Sequence, residues 1–186
     1  MRKALDLLYR GALAGACLAM IVIAALVFIQ VLARVLDRIV VFFGMPRYGF
    51  IIPSLAEIGG FLFVAAAFLA LAATLRSAGH VRVTLMLRYF GAETDRIMTL
   101  LVLIVAIALT GFALWAVGTQ TLASYARASV SYGILAIPLW IPQAVMTAGI
   151  GIFAIALMDE LVAVLRGGDA AFRVAELSRE AGEGGH

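Results

Sequence analysis

A single cysteine, Cys17, lies inside an apolar run, which excludes a disulfide framework and any CxxC or Cys/His metal spacing. Histidine is equally scarce. Only His80 and His186 occur, one between apolar windows and one at the last position, so a haem held by two histidines inside a helical bundle has no ligands. Charged residues make up 13% of the 186 positions, against about 25% in an ordinary soluble domain. No GxxxxGK[ST], HExxH or GxSxG occurs, so phosphate-loop, zinc-peptidase and serine-hydrolase chemistry lack their residues. What remains is apolar: 65% of residues are hydrophobic and the mean hydropathy is +1.10, the composition of a membrane protein.

Four charge-free windows stand out, and a bilayer core about 30 Å thick needs about 20 apolar residues per helical span. Backbone groups cannot go unpaired in hydrocarbon, and these runs lack the period-two alternation of a barrel strand, so each window is expected to be a helix. Trp115, Pro138, Trp140 and Pro142 mark where the two longer windows meet the interface. The expected spans are residues 11–33, 58–75, 97–118 and 139–158. The fold expectation is thus an all-α membrane protein of one domain with four transmembrane helices.

The basic start, "MRKALDLLYRGALAGACLAM", is followed by an apolar stretch too long for a signal-peptide core and reads as a retained signal anchor. After it, Arg34, Asp37 and Arg38 share one helical face while Val35, Leu36, Ile39, Val40, Phe42 and Phe43 crowd the other. Residues 34–44 therefore read either as an amphipathic interfacial helix or as the first span overrunning the bilayer. A tail over residues 167–186 opens with a glycine pair and Asp169, suited to cap a further short helix.

Orientation follows from the Lys and Arg distribution. Ten fall on the side of the two termini and of the stretch "LRSAGHVRVTLMLRY", and four on the other, so the positive-inside rule expects both termini in the cytoplasm. Arg76, Arg82 and Arg88 in that stretch can fix topology and reach lipid phosphates. Inside the four spans no Asp, Glu, Lys, Arg or His occurs; Gln30 and a few Thr, with Gln120 just past the third span, are the usual material of interhelical hydrogen bonds. An autonomous transporter keeps ionisable groups in its pathway, and none is here. Glycines at Gly11 and Gly15, Gly59 and Gly60, Gly111 and Gly118, and Gly149 and Gly151 provide for close helix packing.

The order of residues narrows the reading. Glu57, about twenty apolar residues, Arg76 and then Gly79-His80-Val81-Arg82-Val83 resembles the signature of the small membrane subunit (DctQ-like) of tripartite ATP-independent periplasmic (TRAP) transporters. "SYGILAIPLWIPQAVMTAGIG" is similar to that family's approach to the fourth span, with Ser131, Leu135, Pro138 and Trp140 in register. Two departures are visible: Thr84 stands where the family often has Asp, and Thr147 and Ala148 replace the usual Pro before Gly149.

The resemblance implies a non-catalytic subunit of the bacterial inner membrane that braces a large TRAP permease subunit. A periplasmic solute-binding protein delivers a solute, often an organic acid, and uptake is driven by an ion gradient. No cofactor is expected in this chain; sodium is expected to bind the large subunit, and no nucleic acid partner is expected. Glu57 is expected to pair with Arg47 or Arg127 or to meet a partner. Arg76, His80 and Arg82 are expected to meet acidic groups of the large subunit or lipid headgroups. Ser131 shares the fourth-span motif, while Pro138 and Trp140 are expected to shape and anchor that helix near the docked binding protein. Two rival readings are a membrane anchor subunit of a respiratory redox complex and a small self-assembling membrane channel.

Overall fold

The computed structural model describes residues 2–76 and 92–166. His80, Arg82, Arg88, Thr84 and the tail with Asp169 lie outside the described residues. Among the described residues there are four helices: α1 (Arg2–Phe42), α2 (Leu55–Arg76), α3 (Ala92–Ala126) and α4 (Trp140–Leu165). Each contains a stretch long and apolar enough to cross a membrane. Among the described residues there is no strand, only an isolated antiparallel bridge between Val130 and Pro138.

At 1.5 Å per residue, α2 and α4 are about 33 and 39 Å long, close to one bilayer crossing. The other two overrun it. With 41 residues α1 is about 60 Å long, and with 35 residues α3 is about 52 Å. Residues 34–42 are therefore not a separate interfacial helix but the unbroken continuation of α1. No proline or helix-breaking pair interrupts the sequence there, and Gly44, at a φ of +75°, supplies the left-handed residue that ends the helix. Likewise α3 continues past residue 118 to Ala126, and α4 runs past residue 158 to Leu165.

The helices stand in the order α1, α2, α4, α3, with α1 also touching α4. This places the two shorter helices in the middle, and both are apolar on all faces, as a surrounded helix should be. The α1–α2 seam is built on small residues: Ala12, Ala16 and Ala19 are buried on α1, with Ala16 and Ala19 packing against Ala66, Leu62 and Leu69. Close backbone approach is how apolar helices gain packing energy where lipid is as apolar as they are. The α2–α4 seam is tighter still. A Cβ placed on Gly149 would stand 2.7 Å from the backbone carbonyl of Phe68, so nothing larger than glycine fits without moving a helix. At the α3–α4 seam the Thr121 and Thr147 hydroxyls lie 3.0 Å apart, and Thr147 also donates to the Gln143 carbonyl at 2.8 Å.

The glycines foreseen as packing sites differ in what they meet within this chain. Gly15 meets Leu69, Gly118 meets Thr147 and Gly151 meets Leu114, whereas Gly11, Gly59, Gly60 and Gly111 have open space where a side chain would go.

Candidate functional site

Between Arg10 and Arg34 of α1, Glu57 and Arg76 of α2, Arg96 and Arg127, and Arg127 and Asp159, no Asp, Glu, Lys, Arg or His occurs. The charged side chains among the described residues are therefore confined to the two ends of the helix row. Among the described residues, no three His, Cys, Asp or Glu side chains gather at a spacing that would hold a metal ion.

At the Arg76 end, side chains from all four helices converge. Tyr9 of α1, Ala72 and Leu75 of α2, Leu103 of α3, and Ala156, Leu157 and Val164 of α4 form one buried apolar cluster. Arg76, the last residue of α2, caps it: its guanidinium reaches Asp6 at 2.6 Å and lies 5.1 Å from the centroid of the Tyr9 ring. Asp6 and Tyr9 are adjacent on one face of α1, so a single arginine grips that helix by charge and by cation–π contact. Glu160, only 2% exposed, is near enough for its charge to act on both Tyr9 and Arg76. From α3, Arg96 donates to the Val164 carbonyl at 3.3 Å, near the last turn of α4. The Tyr9 hydroxyl is buried with no hydrogen-bond partner among the described residues.

The opposite end is held by backbone groups and uncharged side chains. Gln30, 4% exposed on α1, accepts the Ile52 N–H at 2.8 Å, tying the stretch before α2 to α1. Ser54, in a left-handed conformation at the head of α2, accepts the Leu135 N–H through its hydroxyl at 3.0 Å. The chain from Ser129 to Leu139 folds back on itself. Ser131 N–H donates to the Ile137 carbonyl, Leu139 N–H to the Ser129 carbonyl, and the buried Ser131 hydroxyl donates to the Leu135 carbonyl while accepting the Ile137 N–H. The Glu57 carboxylate lies in the space that a side chain on Gly133 would occupy, so only glycine admits it there. Glu57 Oε2, Gln30 Nε2 and Gln143 Oε1 are buried and lack hydrogen-bond partners among the described residues. The Trp140 ring meets Tyr125 edge to face at 5.6 Å, joining the start of α4 to the end of α3.

The residues singled out from sequence thus fall into two groups. Glu57, Ser131, Pro138 and Trp140 share the loop-bearing end; Arg76 stands alone at the other, because His80 and Arg82 lie outside the described residues. Glu57 forms no ion pair with Arg47 or Arg127 among the described residues; its carboxylate is turned toward the Gly133 notch instead. Arg76, foreseen at a partner or headgroup contact, has Asp6 and Tyr9 of its own chain. Pro138 sits in the bridge to Val130, and Trp140 is the first residue of α4.

Sequence reasoning missed Asp6, Tyr9, Glu160 and Gln143. Asp6 and Tyr9 precede the apolar window of α1 and carry the i, i+3 spacing of a shared face, the one signal that could have found them.

Residues 23–167 match the family model described as tripartite ATP-independent periplasmic transporters, DctQ component. No curated protein and no solved structure gives a match.

Proposed function

The chain belongs to the DctQ component family of tripartite ATP-independent periplasmic transporters and so is the small, multi-pass membrane subunit of such a system in the inner membrane; from that premise we propose that it works as a fixed brace for the large permease subunit and conducts no solute itself. The observation that carries this reading is the distribution of charge. A protein that carries an ion or a charged solute through its own helices usually keeps ionisable groups at mid-membrane, and the middle of all four helices has none. The charged groups instead tie helices together at the Arg76 end, and a glycine-tight seam joins α2 to α4.

In this reading both termini face the cytoplasm, so the Arg76 end is the inner one and the end with Glu57 and the Ser129–Leu139 fold faces the periplasm. A solute, often an organic acid, arrives on a binding protein. The large subunit moves it at the expense of an ion gradient, with sodium bound there and not here. His80 and Arg82 serve as contacts with acidic groups of the large subunit or with lipid headgroups at the inner face. Ser131, Pro138 and Trp140, with Glu57 beneath them, hold the shape of the periplasmic surface beside the docked binding protein.

Reconstitution tests the reading. Vesicles holding the large subunit and this chain, supplied with binding protein and solute, are expected to take solute up, and vesicles with this chain alone are expected to pass neither solute nor ions. Uptake or conductance by this chain alone would overturn it.

A further inference from the structure

The extension of α1 beyond the bilayer core carries a feature that bracing does not use. Val31, Arg34, Val35, Arg38 and Val41 recur at helical spacing on one face of α1 and form one wall of a groove, so Val35 stands beside the arginines and not on the opposite face where the sequence pattern puts it. The other wall is Arg47, from the stretch after α1. Asp37 brings the two walls together: its carboxylate accepts the backbone N–H groups of Tyr48 (3.0 Å) and Gly49 (3.2 Å), folding the chain back along the helix.

Those two hydrogen bonds occupy the only acidic side chain in the groove. Arg34, Arg38 and Arg47 have no carboxylate partner among the described residues, so the groove holds three free guanidinium groups against one engaged carboxylate. Its depth is equally specific. Arg34 directly follows the apolar window of α1, and Arg38 lies about 6 Å further along the axis, within the layer that headgroups occupy on a bilayer about 40–45 Å thick overall. Val31 and Val35 are about half exposed; Val31 lies one turn from Arg34 toward the hydrocarbon, and Val35 lies beside Arg34 at the same level.

We propose that this groove is a binding site for one anionic phospholipid, with its phosphodiester held by Arg34, Arg38 and Arg47 and the start of its acyl chains lying on Val31 and Val35. Planar guanidinium groups suit phosphate oxygens, and three from two separate segments can surround one phosphodiester. A free inorganic anion would satisfy the arginines but leave the valines without a partner; a phospholipid satisfies both. The net positive charge selects a headgroup with net negative charge over a zwitterionic one.

Native mass spectrometry of the detergent-purified complex with the large subunit, titrated with dioleoyl phosphatidylglycerol, tests the proposal. The Arg34→Gln/Arg38→Gln/Arg47→Gln variant is expected to hold one fewer tightly bound phosphatidylglycerol, that site being weakened about a hundredfold. Arg47→Gln alone lies outside the helix, leaves α1 untouched if the triple variant fails to assemble, and is expected to weaken the same site about fivefold. Arg127→Gln, at the same end but outside the groove, is expected to change nothing. An unchanged phosphatidylglycerol count in the arginine variants, an equal loss in Arg127→Gln, equal binding of dioleoyl phosphatidylcholine at the site, or displacement of the lipid by millimolar inorganic phosphate would each overturn the assignment.

Discussion

The two ends of the helix row are fastened by different physics. At the Arg76 end four helices share one buried apolar cluster, closed by a guanidinium between Asp6 and Tyr9 with buried Glu160 close by. At the Glu57 end no such cluster exists among the described residues. Gln30, Ser54 and Ser131 satisfy backbone N–H groups, and a loop is seated on a carboxylate through a missing side chain at Gly133. Charge pairing can hold helices that already touch. Hydrogen bonds to backbone can also give an irregular segment one shape, which a surface meeting another protein requires.

The largest effect is expected from Gly149→Val, which forces α2 and α4 apart and uncouples both ends together. Overpacking of this kind costs about 1–3 kcal/mol, and against a backbone neighbour the upper part of that range is expected, read as a drop in the thermal midpoint of the purified protein.

Next in size is Arg76→Gln, which removes the ion pair and the cation–π contact. The pair is partly exposed, with side chains 33% and 48% accessible, so a loss of about 1 kcal/mol is expected. Asp6→Asn in the same background should add little, because the two share one interaction. The difference between wild type and Arg76→Gln is further expected to shrink as salt is raised from low ionic strength to about 1 M, where the screening length falls to about 3 Å.

Ser54→Ala is expected to have the smallest effect, about 0.5 kcal/mol, because the Leu135 N–H that its hydroxyl accepts is exposed, and no salt dependence. Salt thus separates the two ends. If Ser54→Ala proved as salt-sensitive as Arg76→Gln, the contrast between a charged and an uncharged fastening would fail.

Much of the fold is legible in the sequence because hydrocarbon leaves few choices. A run of about 20 apolar residues without charge has one good solution, and all four were visible. The ends were less legible for a physical reason. A charge at the edge of an apolar run marks the edge of hydropathy, but a helix does not stop there, because its backbone hydrogen bonds continue outside the hydrocarbon as well as within it. α4 passes Asp159 and Glu160 and ends at Leu165, and α1 passes Arg34 and ends at Phe42. The partner of Arg76 lies 70 positions away at Asp6, and no local pattern connects them.

The loop-bearing end shows the opposite case. Glu57, Ser131, Pro138 and Trp140 were visible through a family motif, but the motif could not say that Glu57 faces a glycine and not an arginine. Thr147, where the family usually carries proline nearby, illustrates what a departure can mean. Its hydroxyl donates to the Gln143 carbonyl and lies 3.0 Å from the Thr121 hydroxyl, a link between α3 and α4 that proline has no hydroxyl to make.

That same link offers the most direct test of a static brace. Thr121→Cys and Thr147→Cys, introduced together with Cys17→Ala, place two thiols where hydroxyls now lie 3.0 Å apart, close enough for a disulfide to lock α3 to α4. Solute uptake is measured in vesicles with the large subunit and binding protein, before and after oxidation. A brace that does not move predicts equal rates in the oxidised and reduced forms. Loss of uptake on oxidation, restored by reductant, would show that these helices move during transport and would contradict the account.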